Sequence, residues 1–314
     1  ALINFDEEYL IQTHDLHVLT SGRDLLPNEY RLAQGEYVIM AGPDYNSEEV
    51  VSREVLDAAQ GRRSAALQLG IRVAGGGLRG LNFAPLPGAE EEGRIITAQV
   101  QENEAPNQVF FGSDAQEGVL AEMQKAPEIL HMATHGFFLK ADDTLRKRLL
   151  KLQRGAEIHV PLPGDNPLLR AGLAFAGINT NAQFLGDIDT VNDGVLTALE
   201  VLDLNLSGTK LVVLSACETG LGEIHEGEGV YGLRRSFQEA GVAEVVSSLW
   251  EVSDAGTQAL MTSFYDRVLS GTPAREALRE TQLDLMDSPE WGYPYIWSAF
   301  MIVGSYESAG ITVQ

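Results

Sequence analysis

A single cysteine, Cys217, stands in 314 residues, so no disulfide can close within the chain, and any thiol chemistry rests on one side chain. Basic residues are also scarce: 22 Lys and Arg face 45 Asp and Glu, a formal net charge of −23 at pH 7. A surface of that sign repels phosphate backbones and anionic lipid heads and attracts basic peptides. Direct nucleic-acid binding and a membrane partner are therefore not expected, and a protein or peptide partner is. No apolar run reaches transmembrane length, and no basic-then-apolar leader opens the chain, so a cytoplasmic protein is expected. Internal repeats and low-complexity tracts are lacking too. The first residue is Ala1 rather than Met, and the expectation is a piece of a longer polypeptide.

What is present, 44% hydrophobic residues, suffices for a sizeable core in one large α/β domain or two small ones. Short apolar, β-branched runs recur between helical patterns. Residues 9–20 read as a strand and turn, and YVIM (37–40), QVFFG (108–112), EILHMAT (128–134), LVVL (211–214), EVVSSLW (244–250) and WSAFMIV (297–303) as strands. A further short apolar run spans 171–178. Helices are predicted over 47–69, 88–100, 116–124, 197–202, 230–240, 255–269 and 273–286, with Pro273 in a first turn that does not need its N–H. Strands alternating with helices imply right-handed crossovers and a mainly parallel sheet covered on both faces. Gly75, Gly77 and Gly80 satisfy a dinucleotide-type glycine spacing, but Pro85 and Pro87 follow where the helix should start, which leaves the phosphate cradle unsupported. Glu90, Glu91 and Glu92 read as a solvated helix start whose carboxylates complement the dipole.

Two strands end in groups able to cooperate. LVVLSACETGLG (211–222) runs from an apolar strand into a glycine-punctuated turn that carries Cys217, and the strand over 128–134 ends at His135-Gly136. The carboxyl edge of an open α/β sheet is where ligands gather. A thiol with an ordinary pKa of about 8.5 is mostly protonated at neutral pH, and an imidazole can take its proton. Cys217 is thus a candidate nucleophile with His135 as its base. Gly136, lacking a Cβ, lets an N–H approach an oxyanion together with that of Cys217, and one such donor is worth ~3 kcal/mol. The competing reading is a buried packing cysteine, although such a residue belongs within the apolar run rather than past it. His131 and His135 stand four apart, a metal spacing on a helix, but this segment reads as a strand and no ligand cluster completes a site. No metal and no cofactor are expected, and His131 reads as a core or supporting histidine.

HMATHGFF (131–138), LSACETGLG (214–222), GEGVYGLRRSFQEAGV (227–242), SSLWEVSD (247–254) and PYIWSAFMIVG (294–304), with FAPLPGAEEEGRII (83–96) upstream, resemble the CHAT-domain peptidases, caspase-like cysteine proteases related to separase. The resemblance implies an α/β, caspase-like, mainly parallel sheet with helices on both faces, over 36–306. Residues 1–35 would be a strand and connecting segment of the same region, 139–168 an insertion and 307–314 a tail. It implies a cysteine endopeptidase with catalytic His135 and Cys217, oxyanion donors at Gly136 and Cys217, and Asp254 or Glu251 lining a pocket for a basic side chain. Either acid could instead cap the helix near Ala255. A regulatory protein or an upstream tetratricopeptide-repeat domain is implied as a partner. The insertion carries LRKRLLKLQR (145–154), the one basic island, which reads as a surface helix or as a segment offered to the acidic pocket. The alternative from another class is a non-catalytic acidic scaffold that docks a basic protein.

Overall fold

The structure, a computed structural model, describes residues 3, 7–19, 35–48, 82–138, 166–181, 193–215, 228–250 and 252–304. The predicted helix over 47–69, the glycine spacing at 75–80, the basic island, Cys217 and Glu251 lie wholly or mainly outside them. Six strands form the central sheet: β1 (Tyr37–Pro43), β2 (Asn107–Gly112), β3 (Ile129–Ala133), β7 (Leu211–Leu214), β8 (Glu244–Ser248) and β9 (Phe300–Gly304). They lie in the order β2-β1-β3-β7-β8-β9, with every pairing parallel except that of β8 with β9. This is the α/β, mainly parallel architecture expected from the alternating runs.

Alternate residues of each strand feed opposite cores, as the period of two requires. Tyr37, Ile39, Leu211, Val213 and Val246 join one core, and Val38, Met40, Val212, Leu214 and Val245 the other. Helices α2 (Pro87–Glu102), α7 (Asp254–Leu269) and α8 (Ala274–Met286) supply the first, through residues such as Ile96, Phe264 and Leu278. Helices α3 (Glu117–Glu122), α5 (Ala198–Val201) and α6 (Glu228–Glu239) supply the second, through Leu120, Val201 and Phe237. With both faces covered, the strands read as continuous apolar runs rather than alternating ones.

Several boundaries depart from expectation. Within residues 9–20, a one-turn helix α1 (Leu10–Thr13) replaces the strand, because the Gln12 side chain accepts the Tyr9 N–H at 2.8 Å and closes a turn on itself. Among the described residues of this stretch, Val18 alone bridges to the sheet, at Val303. A one-turn helix α9 (Pro294–Trp297) takes up the first residue assigned to the last strand, and Pro273 caps α8 from outside rather than joining its first turn. A second, antiparallel sheet of β4 (Gly136–Phe138), β5 (Ala171–Ala174) and β6 (Val195–Thr197) grows directly from the end of β3. Its strands are only three or four residues long, too short for a period to show. No helix among the described residues is long and apolar enough to cross a membrane.

The order of the central sheet reverses at β1, which has β2 on one side and β3 on the other. At such a switch point the connections leave in opposite directions and open a crevice beyond the carboxyl ends. Thr134 and His135 follow β3 there, and Tyr45 follows β1.

Candidate active site

His135 is buried, 5% exposed, just past the end of β3. Its ring lies between two aromatic neighbours, 5.2 Å from Tyr45 and 5.6 Å from Phe83 between centroids. The Nε2 atom sits 2.8 Å from the carbonyl oxygen of Ala84. A carbonyl can only accept, so Nε2 carries the proton of the neutral ring and Nδ1 its lone pair. That carbonyl is held in turn, because the Asn179 side chain clamps Phe83, accepting its N–H at 2.8 Å and donating to its oxygen at 2.9 Å.

The backbone around His135 is fixed by a directional set of hydroxyl bonds. Thr134 Oγ1 donates to the Ala174 carbonyl, and Tyr45 OH lies 3.0 Å from Thr134 Oγ1. With the threonine proton committed, the tyrosine must donate to Thr134, while its own oxygen accepts the His135 N–H at 3.3 Å. The Ala174 N–H donates to the His135 carbonyl at 2.9 Å, which ties the residue to the end of β5. Burial pushes the Tyr45 hydroxyl pKa up to about 12, so the hydroxyl stays protonated as this arrangement needs. Gly136 opens β4 opposite Leu173.

β7 lies beside β3 in parallel register, with Met132 opposite Leu214. The ladder runs one residue further, since the Ser215 N–H donates to the Met132 carbonyl at 3.0 Å. Cys217 comes two residues later in the sequence. Ser215 also donates through Oγ to the carboxylate of Glu92 on α2, at 2.9 Å. The other Glu92 oxygen approaches Nε2 of His131 to 3.3 Å, a charge contact whose geometry is not that of a hydrogen bond. His131 Nδ1 lies 3.1 Å from the Tyr265 hydroxyl on α7. Burial first, then the charge of Glu92, drive the Tyr265 hydroxyl well above its ordinary range.

The three acids at 90–92 therefore divide. Glu90 pairs with Arg94 at 2.5 Å toward solvent and Glu91 is exposed, but Glu92 is 4% exposed and faces the sheet, which corrects the reading of all three as solvated. A signal for it exists in the sequence, because Glu92, Ile96 and Val100 stand at i, i+4 and i+8, on one helix face. Tyr45 and Asn179 have no such signal, since their roles depend on where three strands end.

Asp254 is the first residue of α7, exposed, and Ser253 rather than either acid caps that helix by accepting the Gly256 N–H at 3.3 Å. The Asp254 carboxylate lies against Gly88 near the start of α2, where a Cβ would fall 2.3 Å from its Cγ. His131 and His135 turn to different partners, Tyr265 and Ala84, and do not form a pair. No group of three His, Cys, Asp or Glu able to hold a metal occurs among the described residues.

The CHAT domain matches residues 1–305. Tetratricopeptide repeat protein 28 of Homo sapiens is 28% identical over 235 residues, a region covering 71% of this chain and 9% of that protein. Its Mus musculus counterpart is 28% identical over 224 residues, with the same shares. The chain thus spans about a tenth of the length of these relatives. The match runs through the central sheet, both strand ends and the helices that cover them, and the chain belongs to the CHAT domain family.

Proposed function

We propose that the protein is a cysteine endopeptidase in which His135 activates Cys217. The observation that carries this reading is the register of β3 and β7: neighbouring parallel strands pair Met132 with Leu214, and each is followed three residues later in the sequence by His135 and by Cys217. The Nε2 bond to Ala84 supports Nδ1 of His135 as the proton acceptor. The Cys217 thiol gives its proton to Nδ1, and the thiolate attacks the scissile carbonyl carbon. The backbone N–H groups of Gly136 and Cys217 receive the oxyanion. His135 returns the proton to the departing amine, which leaves a thioester. A water molecule then gives its proton to His135 and attacks that thioester, releasing the acid and restoring the thiol. While His135 is charged, its bond to Ala84 becomes charge-assisted and strengthens, which favours the ion pair.

Asp254, Glu251 and the net charge of −23 support a protein substrate cut after a basic side chain. The names of the relatives support regulation by a tetratricopeptide-repeat segment or a partner bound to one. The test is covalent labelling by a peptidyl acyloxymethyl ketone with Lys at its reactive end. Labelling of Cys217 that disappears in His135→Ala is the expected result. Binding of a basic peptide with no labelling of the wild type would instead favour the acidic scaffold.

A further inference from the structure

The endopeptidase reading uses the ends of β3 and β7 but leaves a buried polar chain beneath them without a task. Glu92 is the centre of that chain. A buried carboxylate is costly unless hydrogen bonds and opposite charge offset its desolvation. Among the described residues its one hydrogen bond is from Ser215, which stands two residues before Cys217 in the sequence. Ser215 is thereby fixed in two directions, laterally to β3 through its N–H on Met132 and vertically to α2 through Oγ on Glu92.

Glu92 is itself held. It belongs to a 16-residue helix, and the next residue, Gly93, packs so closely on the sheet that a Cβ there would fall 2.4 Å from that of Ala41. His131, in β3 four residues before His135, meets the second carboxylate oxygen and is braced from behind by Tyr265. One carboxylate thus touches both strands whose ends carry the proposed dyad, β7 through Ser215 and β3 through His131.

From this arrangement we infer that Glu92 is a positioning residue: it sets the end of β7 through Ser215 and so fixes where Cys217 stands relative to His135. The inference rests on the endopeptidase reading. Small displacements of a reacting group lower rates steeply, so loss of the Glu92 oxygen should slow the thiol far more than it weakens substrate binding.

The test measures alkylation of Cys217 by the Lys ketone probe in the full chain, separating the probe's affinity from the maximal rate. Glu92→Ala and Ser215→Ala should each lower the maximal rate roughly 10- to 100-fold with little change in affinity. The double variant should be no slower than either single one, because both remove the same bond. Glu92→Gln keeps an oxygen for Ser215 and should stay within about threefold of the wild type, a rescue that a merely space-filling role does not predict. If Glu92→Ala fails to fold, Ser215→Ala against Glu92→Gln decides the matter, since each is a nearly isosteric change. Wild-type rates in a folded Ser215→Ala protein would overturn the role of Glu92 alone. Absence of His135-dependent labelling in the wild type would overturn the endopeptidase reading and this inference together.

Discussion

Replacing Tyr45 by Phe removes one oxygen that makes two bonds at the proposed catalytic histidine, and its effect should invert with pH. At pH 7 the substitution takes away the acceptor of the His135 N–H and the donor to Thr134, both in buried surroundings. Hydrogen bonds of this kind, once a buried partner is left short, are worth about 1–3 kcal/mol, so Tyr45→Phe should be less stable by that amount. At alkaline pH the balance changes. The Tyr45 hydroxyl is raised from 10.0 to about 12 in the folded protein, so between those values the unfolded chain loses a proton that the folded one keeps. A group whose folded pKa is raised adds stability that is complete below the unfolded pKa and is lost as pH climbs through the folded one. The loss approaches about 1.4 kcal/mol per pH unit between the two values and amounts to about 2 kcal/mol by pH 12, and the phenylalanine variant escapes it. Tyr37, raised likewise to about 12 by burial and by Glu128, declines equally in both proteins and cancels from the comparison. Guanidinium unfolding of both proteins at pH 7, 9, 10, 11 and 12 should therefore show curves that converge above pH 10 and meet or cross near pH 12. A stability gap that stays constant from pH 9 to pH 12 would refute the buried, protonated Tyr45 hydroxyl on which the positioning of His135 depends.

Two further substitutions probe the same framework at other points. Gly88→Ala would bring a Cβ to 2.3 Å from Cγ of Asp254, and that exposed side chain must swing away. Stability should change by no more than about 1 kcal/mol, while KM for a substrate with a basic side chain at the cleavage site should rise several-fold and kcat hold. Phe264→Ala empties a fully buried position on α7 and should cost about 3–5 kcal/mol, read as a lower denaturant midpoint with an unchanged slope.

Much of the fold was legible because it follows from period and punctuation. The strands over YVIM and LVVL are continuous apolar runs for the reason the two cores give, namely burial on both faces. Gly241, with φ of 101°, ends α6 as its place after the helical pattern predicts. Residues 9–20 have the β-branched and apolar content of a strand, but the side-chain bond of Gln12 makes a turn at Tyr9 self-sufficient. The small sheet from β4 to β6 is not legible because strands of three or four residues leave no pattern to count. Its pairing depends on residues far apart in the chain.

The site divides along the same line. The strand end before His135 and Gly136 was legible because a histidine followed by glycine after an apolar run is a local signal, and β3 ends at Ala133. What surrounds His135 was not, since the Ala84 carbonyl arrives from 51 residues away and the Tyr45 hydroxyl from 90. A main-chain carbonyl can be supplied by any residue type, so no sequence pattern marks it. Glu92 differs from both, because its helical phase with Ile96 and Val100 marks it as buried, while the composition of the run reflects two acidic neighbours that face water. Composition describes the segment, whereas phase describes the residue. A lone acid in phase with an apolar stripe therefore carries more information about a buried polar contact than the charge of the run that contains it.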